Sequence, residues 1–252
     1  MITMEISIII PAYNEEKRIQ KTLERIFSYM KEKKHDFEII VVDDGSKDKT
    51  VELVELFRKK NSKGKKKADK NRIKILKNIK NKGKGHSVKR GMLSGEKKWL
   101  LFSDADLSTP IEEIEKFEKY IDQYSIIIAS RNLKESQIKI KQPKLRSTLG
   151  KIFPFVVNLF TIRGIKDTQC GFKLFRKDVA EKIFPLQTSK RFAFDVEVLF
   201  IAKKHGYKIK EIPVIWINAL GSKVDPINDS ISMFFDLIRF RFNSIIGKYN
   251  KQ

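Results

Sequence analysis

Trp99-Leu100-Leu101-Phe102-Ser103-Asp104-Ala105-Asp106 decides how this chain is read. The apolar run has the character of a buried strand and ends in two carboxylates one residue apart. Side chains at i and i+2 leave a strand on the same side. A hard divalent cation such as Mg²⁺ is held by one or two carboxylates and takes its other oxygens from water and substrate phosphates. Working outward, a second acidic pair, Asp43-Asp44, closes another apolar strand, Phe37-Glu38-Ile39-Ile40-Val41-Val42. Two strand-end acidic clusters in the first half of the chain suggest a nucleotide and metal site.

Around these two strands the pattern alternates. Ile6–Ile10, Arg72–Leu76 and Tyr124–Ala129 read as further strands, with Lys98–Phe102 as the strand that carries the opening motif. Glu15 to Lys33 places Ile19, Leu23, Ile26, Phe27 and Met30 at helical spacing. A second helix, capped by Ser46 or Asp48, carries Val51, Val54 and Phe57. A third falls within Gly83–Ser94, and a fourth starts near Pro110. Such alternation predicts an α/β fold, a mostly parallel sheet wrapped by helices, with ligands at the carboxyl ends of its strands. The second half is less regular. Leu145–Phe160 looks amphipathic, Phe194–Lys204 helical, and Ile209–Ile217 strand-like around Pro213. Ile231–Phe242 is expected to pack Ile231, Phe234, Phe235, Leu237 and Ile238 near Arg239 and Arg241. A weak boundary lies near Arg131–Gln142, and the chain is expected to form a single domain over 1–252.

The 252 residues include 53 Lys and Arg against 31 Asp and Glu, a net charge of +22. That excess bears on partners and solubility rather than on fold, and nucleic acid, an anionic membrane surface or phosphorylated substrates could each answer it. A nucleic-acid-binding module would need stacking aromatics among its basic residues, and the Lys59–Lys70 tract has none. That tract fits a solvated loop or a docking element for anionic lipid. The single cysteine, Cys170, cannot form an internal disulfide, which fits a reducing compartment. There is no signal-peptide pattern. No apolar run approaches the roughly 20 residues of a membrane span, so a soluble or peripheral protein is expected.

Three further motifs carry chemistry, each with a plainer alternative. Pro11-Ala12-Tyr13-Asn14-Glu15-Glu16 could grip a flat base and its ribose, or form a strand-to-helix turn with Asn14 as N-cap. Asp43-Asp44-Gly45-Ser46 offers carboxylates to ribose hydroxyls or a uracil ring, or makes a turn and cap. Asn81-Lys82-Gly83-Lys84-Gly85-His86 resembles a phosphate-cradling loop but lacks the Gly-x-x-x-x-Gly-Lys-Ser/Thr pattern, and reads as a flexible basic loop able to approach a diphosphate.

Taken in order, these motifs and Asp104-Ala105-Asp106 resemble the signature of inverting family 2 glycosyltransferases. Asp167-Thr168-Gln169-Cys170-Gly171-Phe172-Lys173-Leu174-Phe175, Arg191-Phe192-Ala193-Phe194-Asp195-Val196-Glu197 and Gly221-Ser222-Lys223 narrow the resemblance to the dolichyl-phosphate glucosyltransferases and related polyprenyl-phosphate enzymes. The resemblance implies a GT-A fold, with a nucleotide-sugar half (1–130) and an acceptor half (131–252) that includes membrane-surface helices. It implies transfer of glucose from UDP-glucose to a dolichyl or polyprenyl phosphate, with GDP-mannose as the alternative donor, at the cytoplasmic face of a membrane. Pro11, Ala12, Tyr13, Glu15, Asp43, Asp44, Lys84 and Ala105 would hold the nucleotide sugar. Asp104 and Asp106 would bind Mg²⁺ or Mn²⁺. Arg131, Arg146, Gln169, Ser222 and Lys223 would serve the acceptor side and phosphates. Asp195 is the remaining acidic candidate, structural or sugar-contacting before it is a base. The aromatic stripe Phe153, Phe155 and Phe160, and Arg239 and Arg241 beside Phe240 and Phe242, fit either packing or an interfacial helix.

Overall fold

A computed structural model of the chain describes residues 3–62, 72–139, 162, 164–218 and 228–250. The first half runs β1 (Glu5–Ala12), α1 (Ile19–Glu32), β2 (Asp36–Asp43), α2 (Thr50–Ser62), β3 (Ile73–Lys77), α3 (Lys84–Met92) and β4 (Trp99–Ser103). A 3₁₀ turn, Ile111–Glu113, leads into α4 (Ile114–Glu118), followed by β5 (Ile126–Ser130) and the short β6 (Gln137–Ile138). Then come β7 (Phe172–Arg176), α5 (Lys177–Ile183), α6 (Phe194–Lys204), β8 (Ile209–Pro213), β9 (Ile215–Trp216) and α7 (Asn228–Ile245).

Seven strands form one sheet in the order β3-β2-β1-β4-β7-β5-β8, while β6 and β9 pair separately. All neighbours in the large sheet are parallel except around β7, which runs antiparallel between β4 and β5. The sheet is covered on both faces, as parallel strands require. Ile6, Ile8 and Ile10 point into the layer formed with α1, where Ile19, Leu23, Ile26 and Met30 are buried. Ile9, Ile40, Phe102 and Phe175 point into the opposite layer with Val88, Phe194 and Leu199.

The expected strands and helices of the first half are present, with several corrections. α1 begins at Ile19 rather than Glu15, and Asn14 does not cap it. The Asn14 backbone sits at φ 51°, and its carboxamide oxygen instead accepts from Lys47 N. Asp48, not Ser46, opens α2, accepting from the Thr50 amide. The Ile209–Ile217 stretch divides into two strands that join different sheets. β7 was not foreseen as a strand: its buried Lys173 interrupts the apolar pattern that would have announced it. On α7, Leu237 and Phe240 are buried, but Phe234, Phe235 and Ile238 are exposed rather than packed. Leu145–Phe160 and most of the lysine tract lie outside the described residues.

One buried charge in β2 is fully engaged. Glu38 accepts from Ser7 Oγ at 2.6 Å and the Glu96 amide at 2.7 Å, and pairs with Lys74 at 2.8 Å. Burial alone would raise its carboxyl, but Lys74, Ser7 and the Glu96 amide outweigh burial and hold it below the usual range. A depressed carboxyl contributes stability above its unfolded pKa and loses it as pH falls through the folded one. Glu38→Gln is therefore expected to cost about 1–3 kcal/mol at neutral pH by chemical denaturation. The deficit should begin to shrink as pH falls below the ordinary glutamate pKa of about 4.3 and close only once the lowered folded-state carboxyl is itself protonated. An equal deficit at neutral and acid pH would contradict the assignment.

Candidate active site

The carboxyl end of β1 is zipped to the loop after β2. Asn14 N donates to Ser46 Oγ, Glu15 N to Thr50 Oγ1 and Glu16 N to Asp48 Oδ2, and Lys49 N returns a bond to Glu16 Oε2. This wall brings Pro11, Ala12, Tyr13 and Glu15 alongside Asp43, with the Glu15 carboxylate 2.8 Å from Arg18. An open depression of about 360 Å³ lies beside it, lined by residues 14–18 with Lys47 and Asp48. Asp104, Asp106 and Lys84 are not among the walls of this depression.

Asp43 and Asp44 are buried and employed locally. The Asp43 carboxylate accepts from the Gly45 and Ser46 amides, closing its own turn. Asp44 accepts from Asn78 Nδ2 at 2.7 Å, from Lys82 N at 2.9 Å and from Gly83 N at 2.8 Å. The Asn81–His86 loop is thus pinned rather than free. It also packs closely on the second half of the chain. Gly83 has φ 97°, and a Cβ there would strike Lys190 O. A Cβ on Gly85 would come within 2.7 Å of Phe194 Cβ. Only glycine permits both the left-handed backbone and this approach.

Pinning the loop sets Lys84 at the start of α3, where its Nζ lies 2.6 Å from Asp104 Oδ1. Burial works against the ammonium charge, but Asp104, Asp195 and Asp106 prevail and hold Lys84 above the ordinary lysine range. Asp106 accepts from the Ser108 amide at 2.9 Å. Burial, and then the neighbouring Asp104 charge, raise its carboxyl. Between the two, the Ala105 carbonyl is held by Thr22 Oγ1 of α1 at 2.6 Å. Asp104 also needs Gly171 beneath it. Its amide donates to Gly171 O, and a Cβ at position 171 would collide with Asp104 Oδ2.

A second buried carboxylate builds the turn that delivers Gly171. Asp167 accepts from the amides of Gln169, Cys170 and Arg131. It also binds the Arg131 guanidinium through Nε at 2.7 Å and Nη2 at 2.8 Å. Burial opposes its charge, yet Arg131 holds Asp167 below the usual range. Arg131, expected at phosphate oxygens, is thereby given a structural partner. Cys170 is buried, and burial, with Asp167 close by, raises its thiol to about 11, so it is a packed thiol rather than a nucleophile.

Lys173 and Glu197 lie within the second-half motifs, and the sequence alone gives neither a role. Lys173 is fully buried, donates to Cys170 O at 2.6 Å and pairs with Asp195. Burial outweighs Lys173 and Lys84 and keeps the Asp195 carboxyl above its usual range. At 4% exposure, Asp195 presents almost no open surface. A lysine inside the apolar strand Phe172–Phe175 was the sequence signal for this pair. Glu197 accepts from the Thr188 and Ser189 amides. Gln169 reaches α7, donating to Met233 Sδ at 3.8 Å. Arg146, Ser222 and Lys223 lie outside the described residues.

Chemically, Asp104 and Asp106 fit a hard cation. Two carboxylates stand one residue apart at the end of β4, close enough for the Asp104 charge to act on Asp106, and the absent Cβ at Gly171 leaves room for Asp104 Oδ2. No cluster of three or more His, Cys, Asp or Glu exists among the described residues, so further ligands would come from substrate or water.

The sequence profile described as glycosyl transferase family 2 matches residues 7–184. The dolichyl-phosphate beta-glucosyltransferase of Dictyostelium discoideum is 38% identical over 253 residues, covering 96% of this chain and 75% of that protein. The Homo sapiens protein of the same name is 34% identical over 259 residues, covering 98% and 78%. Among solved structures, glucosyl-3-phosphoglycerate synthase from Mycobacterium tuberculosis, in complex with Mn²⁺, UDP and glucosyl-3-phosphoglycerate, is similar with a TM-score of 0.66 at 14% identity. That match covers 95% of this chain and 79% of that one. A mannosyltransferase from Pyrobaculum calidifontis in complex with GDP-Man and Mn²⁺ gives 0.61 at 16% identity, covering 95% and 65%. At these identities the likeness is one of fold, and the fold is GT-A.

The pinned loop gives a direct test. Asp44→Ala should release the Lys82 and Gly83 amides, speeding their hydrogen exchange by about tenfold, the equivalent of about 1.4 kcal/mol. Unchanged protection at those amides would remove Asp44 from this role.

Proposed function

The chain belongs to glycosyl transferase family 2, and from that membership we propose that it transfers glucose from UDP-glucose to a dolichyl or polyprenyl phosphate with inversion. The single observation that carries the reading is the meeting of Lys84 with Asp104 beside Asp106, at the carboxyl end of β4. Relatives that share a third or more of their residues with nearly the whole chain bear the glucosyltransferase name, which favours glucose over mannose.

In this proposal the β1–β2 wall of Pro11, Ala12, Tyr13, Glu15 and Asp43 receives the nucleoside. Asp104 and Asp106 would hold Mg²⁺ or Mn²⁺, which would supply charge neutralisation for the departing diphosphate. Lys84, poised over Asp104, offers an ammonium to the same phosphates. A phosphate monoester has a second pKa of about 6, so a lipid phosphate is largely dianionic at neutral pH and attacks the anomeric carbon without a strong base. Asp195 is therefore assigned to holding Lys173 and the Gly171 turn, and Arg131 to ordering Asp167. Gln169 faces the acceptor side, where Arg146, Ser222 and Lys223 are also proposed to act. Work on a lipid acceptor implies a peripheral place at the cytoplasmic face of a membrane. No helix among the described residues is long and apolar enough to cross one.

The experiment is a panel of radiolabelled UDP- and GDP-sugars with a short polyprenyl phosphate and Mg²⁺ or Mn²⁺. Label should pass from UDP-glucose to lipid. Asp104→Asn and Asp106→Asn should each lower turnover by at least about a hundredfold, with folding retained. Preferential use of GDP-mannose would overturn the donor assignment. Full activity in either variant would overturn the cation assignment.

A further inference from the structure

α7 carries two apolar faces. One, formed by Met233, Leu237 and Phe240, is buried in the core. The other is formed by Phe235, Ile238, Phe242 and Ile245, with Ile246 just past the helix end, and these are exposed at 64, 47, 60, 83 and 56%. At roughly 100° per residue these five fall within an arc of about 100°, with Arg239 and Arg241 on its opposite edges. Single exposed apolar side chains are ordinary on a protein surface, but a contiguous apolar row rimmed by cations is not.

We propose that this outer face of α7 is a docking surface for an anionic lipid bilayer, with the helix lying in the headgroup plane. An apolar face sinks to the acyl boundary while flanking guanidiniums meet lipid phosphates, and the net charge of +22 favours the same surface. A second copy of the chain is disfavoured, because a two-fold contact would set two strongly cationic chains, with their arginine rims, against each other.

The helix is also attached rigidly to the catalytic body. Tyr249 OH donates to the buried Glu197 at 2.5 Å, and Lys204 Nζ donates to Ser244 O at 2.9 Å. Toward its other end, Met233 touches Gln169, two residues before the Gly171 that supports Asp104. Because Met233 is on the buried face, a bilayer against the outer face would lie across the helix from Gln169, about one helix diameter from the residue proposed to serve the lipid phosphate. In that respect the inference rests on the acceptor proposed above.

The test is cosedimentation of the full chain with phosphatidylcholine vesicles, with and without phosphatidylserine, beside an assay on a short water-soluble prenyl phosphate. The parent should bind the phosphatidylserine vesicles more strongly than the neutral ones. Phe235→Ser/Phe242→Ser should lose about tenfold or more of that binding while its turnover on the soluble acceptor is unchanged. Arg239→Gln/Arg241→Gln should remove the preference for phosphatidylserine. Parent-like vesicle binding by the phenylalanine variant would overturn the proposal. So would a concentration-dependent dimer of the parent that fails to bind vesicles. Vesicle binding needs no donor or acceptor. Loss of binding in the variant, with a parent inactive on prenyl phosphate, would leave the docking face standing and remove the acceptor.

Discussion

A carboxylate buried at the end of a strand must find hydrogen-bond donors or give up its charge, and a loop buried beside it has amides that need acceptors. This protein solves both problems with the same contacts. Asp43 takes the amides of Gly45 and Ser46, and Asp44 those of Lys82 and Gly83. Asp167 takes those of Arg131, Gln169 and Cys170, and Glu197 those of Thr188 and Ser189. Each buried acid fixes a loop that helps frame the site or binds its two halves together.

The placement of the chemical groups follows from these anchors. Asp44 positions the loop that starts α3, so Lys84 stands over Asp104. Asp167 shapes the turn into β7, so Gly171 leaves room for the Asp104 carboxylate. Lys173, buried in β7, ties Cys170 O to Asp195 and so braces that turn from behind. The antiparallel β7 is the strand through which the second half of the chain enters the sheet of the first, against β4. The acidic pair at the end of β4 is thereby built from both halves.

Much of this was legible in the sequence. Apolar runs in β1, β2 and β4 and the helical spacing of α1 set the mostly parallel sheet and put Asp43, Asp44, Asp104 and Asp106 at strand ends. What could not be read was where each carboxylate spends its oxygens. Asp44 and Asp104 look alike as strand-end acids, yet one is consumed by a loop 38 residues away in the chain and the other meets a lysine. Arg131 shows the same ambiguity, because a guanidinium suits a phosphate and a buried aspartate equally well. β7 escaped because Lys173 breaks its apolar pattern, and that break was itself the sign of a buried ion pair. On α7, composition could not tell Phe240 from Phe242, since packing on a specific neighbour decides which is covered.

Backbone anchoring, rather than the acidic residues alone, is proposed to make the cation site of Asp104 and Asp106. Gly171→Ala tests it most directly, because it crowds Asp104 without altering any charge. Mn²⁺ binding should be titrated by electron paramagnetic resonance in the presence of UDP, for the parent and for a variant whose thermal unfolding remains cooperative. The account predicts that the alanine weakens Mn²⁺ binding by about tenfold or more, since a displaced carboxylate loses its place in the coordination shell. Equal affinity in the two proteins would contradict it.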